Sequence, residues 1–429
     1  MITYAAVAVF AVSYVLIASE KVHRVAAALA GVAGLTLLGL VNADTAFFSR
    51  HTGIDWNVVF LLFGMMVIVS VLTHTGLFEC IALWAARTSR GRPTRLMVLL
   101  ILVTAVFSPI LDNVTTALLV TPVALSVTDR LGLSPRPYLI AIILAANVGG
   151  ASTLIGDPPN IIIASRAGLT FDDFLIHSLP LTVIELFVLV GLLRLMFYKQ
   201  LRRRPEAVEL QELDPLGAVH DRPLLIRCLV VLGLVMVAFS LHAWWHIDPS
   251  IIAMLGAGAM VVVSGTTPKQ FLGDVEWMTL AFFMALFVLV GGLVQVGVID
   301  TAGQWAAAAM RGDELLGVTG LLVGSAVVGA LVDNIPYTTA MAPIVEEMVA
   351  STGVGGADSP LWWAFVFGAD FGGNTTAVAA GANVVVLGIA AKAGRAISFW
   401  QFTRFGLITV AVTIAVAWLY VWLRYFVWA

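Results

Sequence analysis

The sequence predicts an all-α polytopic membrane protein made of two inverted repeats, each with five spanning helices and one re-entrant hairpin, and with two interrupted helices. Three observations predict it. The chain has 429 residues, of which 60% are hydrophobic and 11% charged, and its mean hydropathy is +0.99; soluble globules carry about 25% charge. Its apolar residues gather in stretches of membrane length. A polar motif then occurs twice in that apolar background: Leu111-Asp112-Asn113 followed by Pro122, and Val332-Asp333-Asn334 followed by Pro343, an offset of 221 residues from Asp112 to Asp333. Carboxylates inside membrane segments are costly and mark transport sites, and duplication points to a repeat-built carrier.

In chain order the apolar stretches are 2–19, 24–42, 56–87, 94–128, 137–165 and 176–198, then 223–243, 249–265, 275–310, 314–350, 360–392 and 398–426. The first lacks a basic n-region, so it reads as a spanning helix and not as a cleavable leader. Stretches 94–128 and 314–350 are too long for one crossing and break centrally at Asp-Asn, which predicts hairpins that enter and leave on one side. Such irregular backbone is tolerated at membrane depth only inside protein or against water. Stretches 137–165 and 360–392 break at Asn147-Val148-Gly149-Gly150 and at Gly368-Ala369-Asp370-Phe371-Gly372-Gly373. Glycine lets the backbone leave the helix and approach a ligand. The expected division is a first repeat at 1–198, a cytoplasmic linker at 199–222 containing Arg202-Arg203-Arg204, and a second repeat at 223–429.

Charge supports this topology. With the hairpins returning to their own side, all of the 23 basic residues except Arg50, Arg166, Arg311 and Arg424 fall on one side, which is therefore cytoplasmic. Both termini are expected outside, in an integral protein of a bacterial inner membrane. Five crossings per half is an odd number, so the halves face opposite ways. Asp55-Trp56, Gly76 and Asp112-Asn113 recur as Glu276-Trp277, Gly297 and Asp333-Asn334 at 221; Gly149-Gly150, Ser152-Thr153 and Asn160 recur as Gly372-Gly373, Thr375-Thr376 and Asn383 at 223.

Other classes find no support. Cys80 and Cys228 form no CxxC or Cys/His cluster, so neither a disulfide framework nor structural zinc is expected. There is no HExxH, no Ser/Lys or Asp/Asp protease motif in the spans and no GxxxxGK[ST] loop, which argues against an intramembrane enzyme or a pump powered by this chain. No cofactor and no nucleic-acid partner are expected; the partners are the lipid bilayer and a small inorganic ion or small molecule.

Hairpin tips and interrupted helices present unpaired backbone groups with partial charges, and four such ends meeting can replace an ion's water shell. The side chains expected to refine that field are Asp112, Asn113, Thr115, Thr116, Asp333, Asn334, Thr338 and Thr339 on the hairpins. Gly149, Gly150, Ser152, Thr153, Asp157 and Asn160 join them from the first broken helix, and Asp370, Gly372, Gly373, Asn374, Thr375, Thr376 and Asn383 from the second. Na+ is expected at Asp112, Asn113, Asp333 and Asn334 if the coupling ion is sodium; H+ is the other choice. Each residue has a plainer reading. Asp112 and Asp333 suit N-caps, Asp157 before Pro158-Pro159 suits a turn, the glycine pairs suit close helix packing, and the hydroxyls suit bonds to their own helix carbonyls. Glu185 lies deep in 176–198 without a counterpart in the other half and is a candidate proton relay. His74 and Glu79, at the end of the third span, suit a structural or gating role better than binding.

Leu111-Asp112-Asn113-Val114-Thr115-Thr116, followed by Gly149-Gly150-Ala151-Ser152-Thr153-Leu154-Ile155-Gly156-Asp157-Pro158-Pro159-Asn160, resembles the signature of the arsenite permease and pink-eyed dilution P-protein branch of the ion transporter superfamily. Leu331-Val332-Asp333-Asn334-Ile335-Pro336, Gly372-Gly373-Asn374-Thr375-Thr376 and Gly381-Ala382-Asn383 resemble it in the second half. The resemblance implies a scaffold, a transport bundle of hairpins and broken helices, a homodimer and an elevator motion. Members include arsenite carriers, some with a cytoplasmic ATPase subunit, sodium/proton antiporters, an anion-conducting protein and, more distantly, sodium-coupled dicarboxylate and citrate carriers. Where dicarboxylate carriers have Ser-Asn-Thr at the tips, this chain has Asp-Asn. The motif segments hold Asp112, Asp157, Asp333 and Asp370 and neither Lys nor Arg, so a dianion is expected to find no fixed cation there. The expectation is a secondary active transporter of a small inorganic ion or arsenite, coupled to H+ or Na+, working by alternating access. A sodium/proton antiporter, a dicarboxylate carrier and an anion channel are the alternatives.

Overall fold

The computed structural model describes residues 2–19, 21–49, 51–202, 214–310 and 312–428. Arg50, Arg203, Arg204 and Arg311, and with them 203–213 of the expected linker, lie outside the described residues. Among the described residues the chain is helical, with no strand.

The first half runs α1 (Ile2–Ser19), α2 (Arg24–Leu37), α3 (Trp56–His74), α4 (Leu77–Ser89), α5 (Pro93–Leu111), α6 (Asn113–Arg130), α7 (Arg136–Gly150), α8 (Pro158–Ala167), α9 (Phe171–His177) and α10 (Leu179–Met196). A short α11 (Tyr198–Leu201) follows. The second half runs α12 (Arg222–Trp245), α13 (Pro249–Ser264), α14 (Pro268–Asp274), α15 (Trp277–Gln295), α16 (Val298–Ala309), α17 (Glu314–Gly329), α18 (Asn334–Thr352), α19 (Pro360–Gly372), α20 (Gly381–Lys392) and α21 (Phe399–Trp422). From α3 to α8 the order and lengths repeat closely in α15 to α20. Among the described residues seven helices are long and apolar enough to cross a membrane, and five shorter apolar helices accompany them.

Local chemistry sets the boundaries. Pro begins or nearly begins α5, α7, α8, α12, α13 and α19, where its missing N–H costs nothing. Asp55 caps α3, Asp221 caps α12 and Asp313 caps α17 through carboxylate bonds to free helix N–H groups.

Two expected spans need correction. Stretches 56–87 and 275–310 are each two helices, α3 with α4 and α15 with α16. Only Thr73-His74-Thr75 and Gln295 interrupt the apolar run at the two joints, too few polar residues for a hydropathy average to show the break. Gly76 and Gly297 make it, with φ of 78° and 73°, a region other residues avoid. At Gly76 a Cβ would also stand 1.9 Å from the Ala218 carbonyl oxygen.

Packing separates two groups. In one, α3 lies on α13, α13 on α12, and α2 on α1 and α15. In the other, α5 lies on α7, α17 on α19, α6 on α20, and α18 on α8 and α19. Helices α7 from Pro137 and α19 throughout are buried on every face, which places them at the heart of the second group. By contrast α1 and α12 bury only a few residues and are apolar on all faces, as helices against lipid are.

Candidate functional site

The two interrupted helices are built the same way. In the first, Asn160 Nδ2 donates to the carbonyls of Gly150 (3.3 Å) and Thr153 (3.0 Å), tying α8 back across the break to α7. In the second, Asn383 Nδ2 donates to Gly373 (2.7 Å) and Thr376 (2.7 Å). The threonines then reach the hairpins: Thr153 Oγ1 donates to the Pro109 carbonyl at 2.6 Å, and Thr376 Oγ1 to the Ala330 carbonyl at 2.8 Å. The first glycine of each pair allows this approach. A Cβ on Gly149 would lie 2.8 Å from the Ala105 backbone, and one on Gly372 2.8 Å from Ala326 Cα. Close packing is thus what Gly149 and Gly372 provide, the plainer of their two readings. Gly150 and Gly373 sit at the breaks themselves, where their carbonyls receive Asn160 and Asn383.

At the hairpin tips the acids are helix caps that also line a cavity. Asp112 accepts from Thr115 N at 2.6 Å and from Thr115 Oγ1 at 2.8 Å, and so begins α6. Its φ of 106° is a conformation that favours glycine, held at a cost of order 1–3 kcal/mol. Asp333 Oδ1 accepts from Ile335 N at 3.0 Å to begin α18. Both acids face a cavity of about 690 Å³.

Behind the tips lies a buried centre of amides and acids. Asn113 Nδ2 donates to Asp157 Oδ2 (2.6 Å) and to Asn147 Oδ1 (3.1 Å). Asn147 Nδ2 donates to Asn374 Oδ1 (2.9 Å) and Asn383 Oδ1 (3.0 Å), joining the two halves of the chain. Asn334 stands beside Asp157, Asn160 beside Asp370, and Asp370 is the nearest acidic influence on Asp157. Several fully buried atoms here have no protein hydrogen-bond partner: Asn113 Oδ1, Asn160 Oδ1, Asn334 Nδ2, Asn374 Nδ2 and both oxygens of Asp370. The hydroxyls of Thr116, Thr338 and Thr375 are in the same condition. Buried polar groups are ordinarily paired, so this concentration marks a place suited to a polar ligand. The repeat is broken here: Asn147 stands where the second half has Asp370, and Asp157 where it has Ala380, each pair 223 apart.

Not every expected residue joins the centre. Ser152 Oγ and Thr339 Oγ1 donate to carbonyls of their own helices, Gly149 at 2.6 Å and Ile335 at 2.9 Å. Glu185 is fully buried on α10, and neither of its oxygens is hydrogen-bonded to the motif residues.

The cavity also brings in residues the motifs do not contain. Arg24 Nη1 lies 3.6 Å from Asp333 Oδ2, which corrects the expectation that these acids meet no fixed cation. Ser70 Oγ donates to Asp274 Oδ2 at 2.6 Å, His74 Nε2 lies 3.6 Å from the same oxygen, and Glu276 accepts from Thr279 at 2.8 Å. Of these, Glu276 belongs to the matched Asp55-Trp56 and Glu276-Trp277 pair and His74 is singled out at the end of its span, whereas no motif marks Arg24, Ser70, Asp274 or Thr279. Away from the cavity the two packing groups touch: Ser165 Oγ on α8 donates to the Asp55 carboxylate ahead of α3, and Arg166 donates to the His51 carbonyl at 3.3 Å. Arg166 also lies 3.8 Å from Glu346.

A polar centre buried among long apolar helices, beside a cavity lined by both hairpin tips, fits an integral membrane protein of the transporter class. A family model described as a citrate transporter matches residues 14–368, and the chain belongs to that family. It is 49% identical over 423 residues to a protein of Mycobacterium tuberculosis named as an uncharacterised transporter, covering 98% of each chain. It is 34% identical over 497 residues to the human P protein, covering 97% of this chain and 59% of that one. Among solved structures, the YdaH transporter of Alcanivorax borkumensis, described as having an unusual topology, aligns with a TM-score of 0.58 at 16% identity, covering 85% of each chain. MtrF of Neisseria gonorrhoeae, presented as illuminating a class of antimetabolite efflux pumps, aligns at 0.50 and 12% identity, over 88% of this chain and 82% of that one. At such identities these structures speak for the fold alone.

Proposed function

We propose that the chain is a secondary active transporter of a small inorganic ion, arsenite among the candidates, coupled to H+ or Na+ and working by alternating access. The observation that carries this reading is the buried centre, where Asp157, Asp370 and six asparagines from both halves converge with unpaired donors and acceptors. Two buried acids that repel each other are stabilised by a positive charge near both, and a coupling cation or proton supplies it. The halves are read as inverted, with the cavity opening to the cytoplasm beside Arg24 and His74, and with Ser165 and Asp55 closing the outer side. Movement of the hairpin and broken-helix bundle against the group containing α2, α3 and α13 would reverse that exposure. Glu185 is kept as a proton relay for the same cycle.

The family match favours one second reading, carriage of citrate or a dicarboxylate. Uptake by the purified protein in proteoliposomes separates them. Arsenite, sodium and citrate are offered under imposed pH and sodium gradients, with an unlabelled trans pool. The expected result is arsenite or sodium uptake that follows a cation gradient and is stimulated by the trans pool. Gradient-driven citrate uptake alone would replace the first reading with the second, and flux without trans-stimulation would indicate a channel.

A further inference from the structure

We propose, on the cation-coupled reading above, that Arg24 is a built-in competitor for the coupling cation at Asp333, and that displacing it releases the second hairpin from the scaffold. Arg24 is the first residue of α2, and the first turn of that helix contains no acid. The N-terminal end of a helix carries partial positive charge and disfavours a cation, so the compensation for Arg24 comes from elsewhere. It comes from the hairpin tip: Nη1 is 3.6 Å from Asp333 Oδ2, and the guanidinium lies 5.2 Å from the centroid of the Phe282 ring on α15. The pair therefore ties the scaffold helices α2 and α15 to the tip of the α17–α18 hairpin.

Both partners border the cavity, with side-chain exposures of 39% and 20%, so a small cation can reach Asp333 from it. The other charged or titratable groups facing this space are His23 on α2, His74 on α3, Asp274 on α14, Glu276 ahead of α15 and Asp112 on the first hairpin. Asp274 is held by Ser70 beside His74, Glu276 by Thr279 and Asp112 by Thr115. Asp333 differs in being paired with a permanent cation from another element, because a guanidinium does not lose its proton. With Arg24 in place the tip is neutralised but tethered. With Arg24 gone and no cation in its place, the charge of Asp333 would have to move through an apolar layer, which is unfavourable. Only a tip loaded with the incoming cation or proton is both neutral and free, and this links movement to coupling.

The test uses the full-length protein in detergent and in proteoliposomes. Thermal stability is titrated with NaCl against choline chloride at pH 6, 7.5 and 9 for wild type, Arg24→Gln, Arg24→Lys and Asp333→Asn. Removing the competitor should lower the half-saturating sodium or proton concentration about five- to tenfold in Arg24→Gln. Arg24→Lys should stay near wild type, and Asp333→Asn should lose the response. In proteoliposomes Arg24→Gln should still exchange cation for cation through the loaded tip but show reduced net cation flux, because return of the unloaded tip is disfavoured. A response to sodium or protons in wild type that Asp333→Asn removes but Arg24→Gln leaves at the same half-saturation overturns the role of Arg24 alone. If neither ion affects wild type, the competitor and the cation-coupled reading both fail.

Discussion

Asparagine at Asp157 or Asp370 is expected to abolish cation-driven uptake while leaving the protein folded. Asn keeps the shape of the side chain and, at 157, an oxygen that can still accept from Asn113, which now donates at 2.6 Å. What it removes is the negative charge that balances the coupling cation in a site without water. Loss of one member of a buried charge pair costs about 3–5 kcal/mol, which taken as binding energy corresponds to about a hundred- to several-thousand-fold in cation affinity. Melting temperature should hold or rise, because each buried carboxylate carries a desolvation cost that the neutral amide does not. Uptake in proteoliposomes together with melting in detergent checks this. Retained coupled uptake in both variants would remove the acids from the coupling site.

The second large effect is expected at Asn147. Its side chain accepts from Asn113 and donates to Asn374 and Asn383, so it is the hydrogen-bonded link between a broken helix of one half and that of the other. Asn147→Ala removes three hydrogen bonds and leaves their partners unsatisfied, at about 1 kcal/mol or more each. The expected result is a clear fall in melting temperature and loss of uptake together. Asn147→Asp should keep the acceptor for Asn113, lose the donors to Asn374 and Asn383 and place a third acid beside Asp157. It should fold less well than wild type at neutral pH and recover at low pH, where the carboxyl is protonated. Equal melting of both variants and wild type would show that the halves are held by packing alone.

Much of this architecture was legible in the sequence because the repeat conserves its own chemistry. Asp112-Asn113 and Asp333-Asn334 break their apolar stretches at α5/α6 and α17/α18, and Gly149-Gly150 and Gly372-Gly373 end α7 and α19. Those features are local, so residue order exposes them. The joints at Gly76 and Gly297 were visible as a matched pair but not as breaks, since the few polar residues before them leave the stretch apolar on average and backbone φ reveals the turn. Arg24 was out of reach for a different reason. Its partner Asp333 is 309 positions away (333 − 24), and charge counting assigns it to a loop at the membrane surface. The offset of 223 pairs Asn147 with Asp370 and Asp157 with Ala380, but residue order does not show that Asn113, Asn147, Asp157, Asn374 and Asn383 meet across the halves. The hydroxyls of Ser152 and Thr339 fell to the plainer reading because a helical carbonyl is always the nearest acceptor.

On the proposed mechanism one bundle must move against the other for transport, and a cross-link across their contact at Ser165 and Asp55 tests this most directly. Ser165 on α8 hydrogen-bonds to Asp55 ahead of α3, so cysteines at these two positions face each other across the boundary. With Cys80 and Cys228 first replaced by Ala, a short reducible thiol cross-linker is applied to the Asp55→Cys/Ser165→Cys protein in proteoliposomes. The account predicts uptake near background while the bridge is intact and recovery on reduction, with each single-cysteine control unaffected. Full uptake through the bridged protein would contradict it.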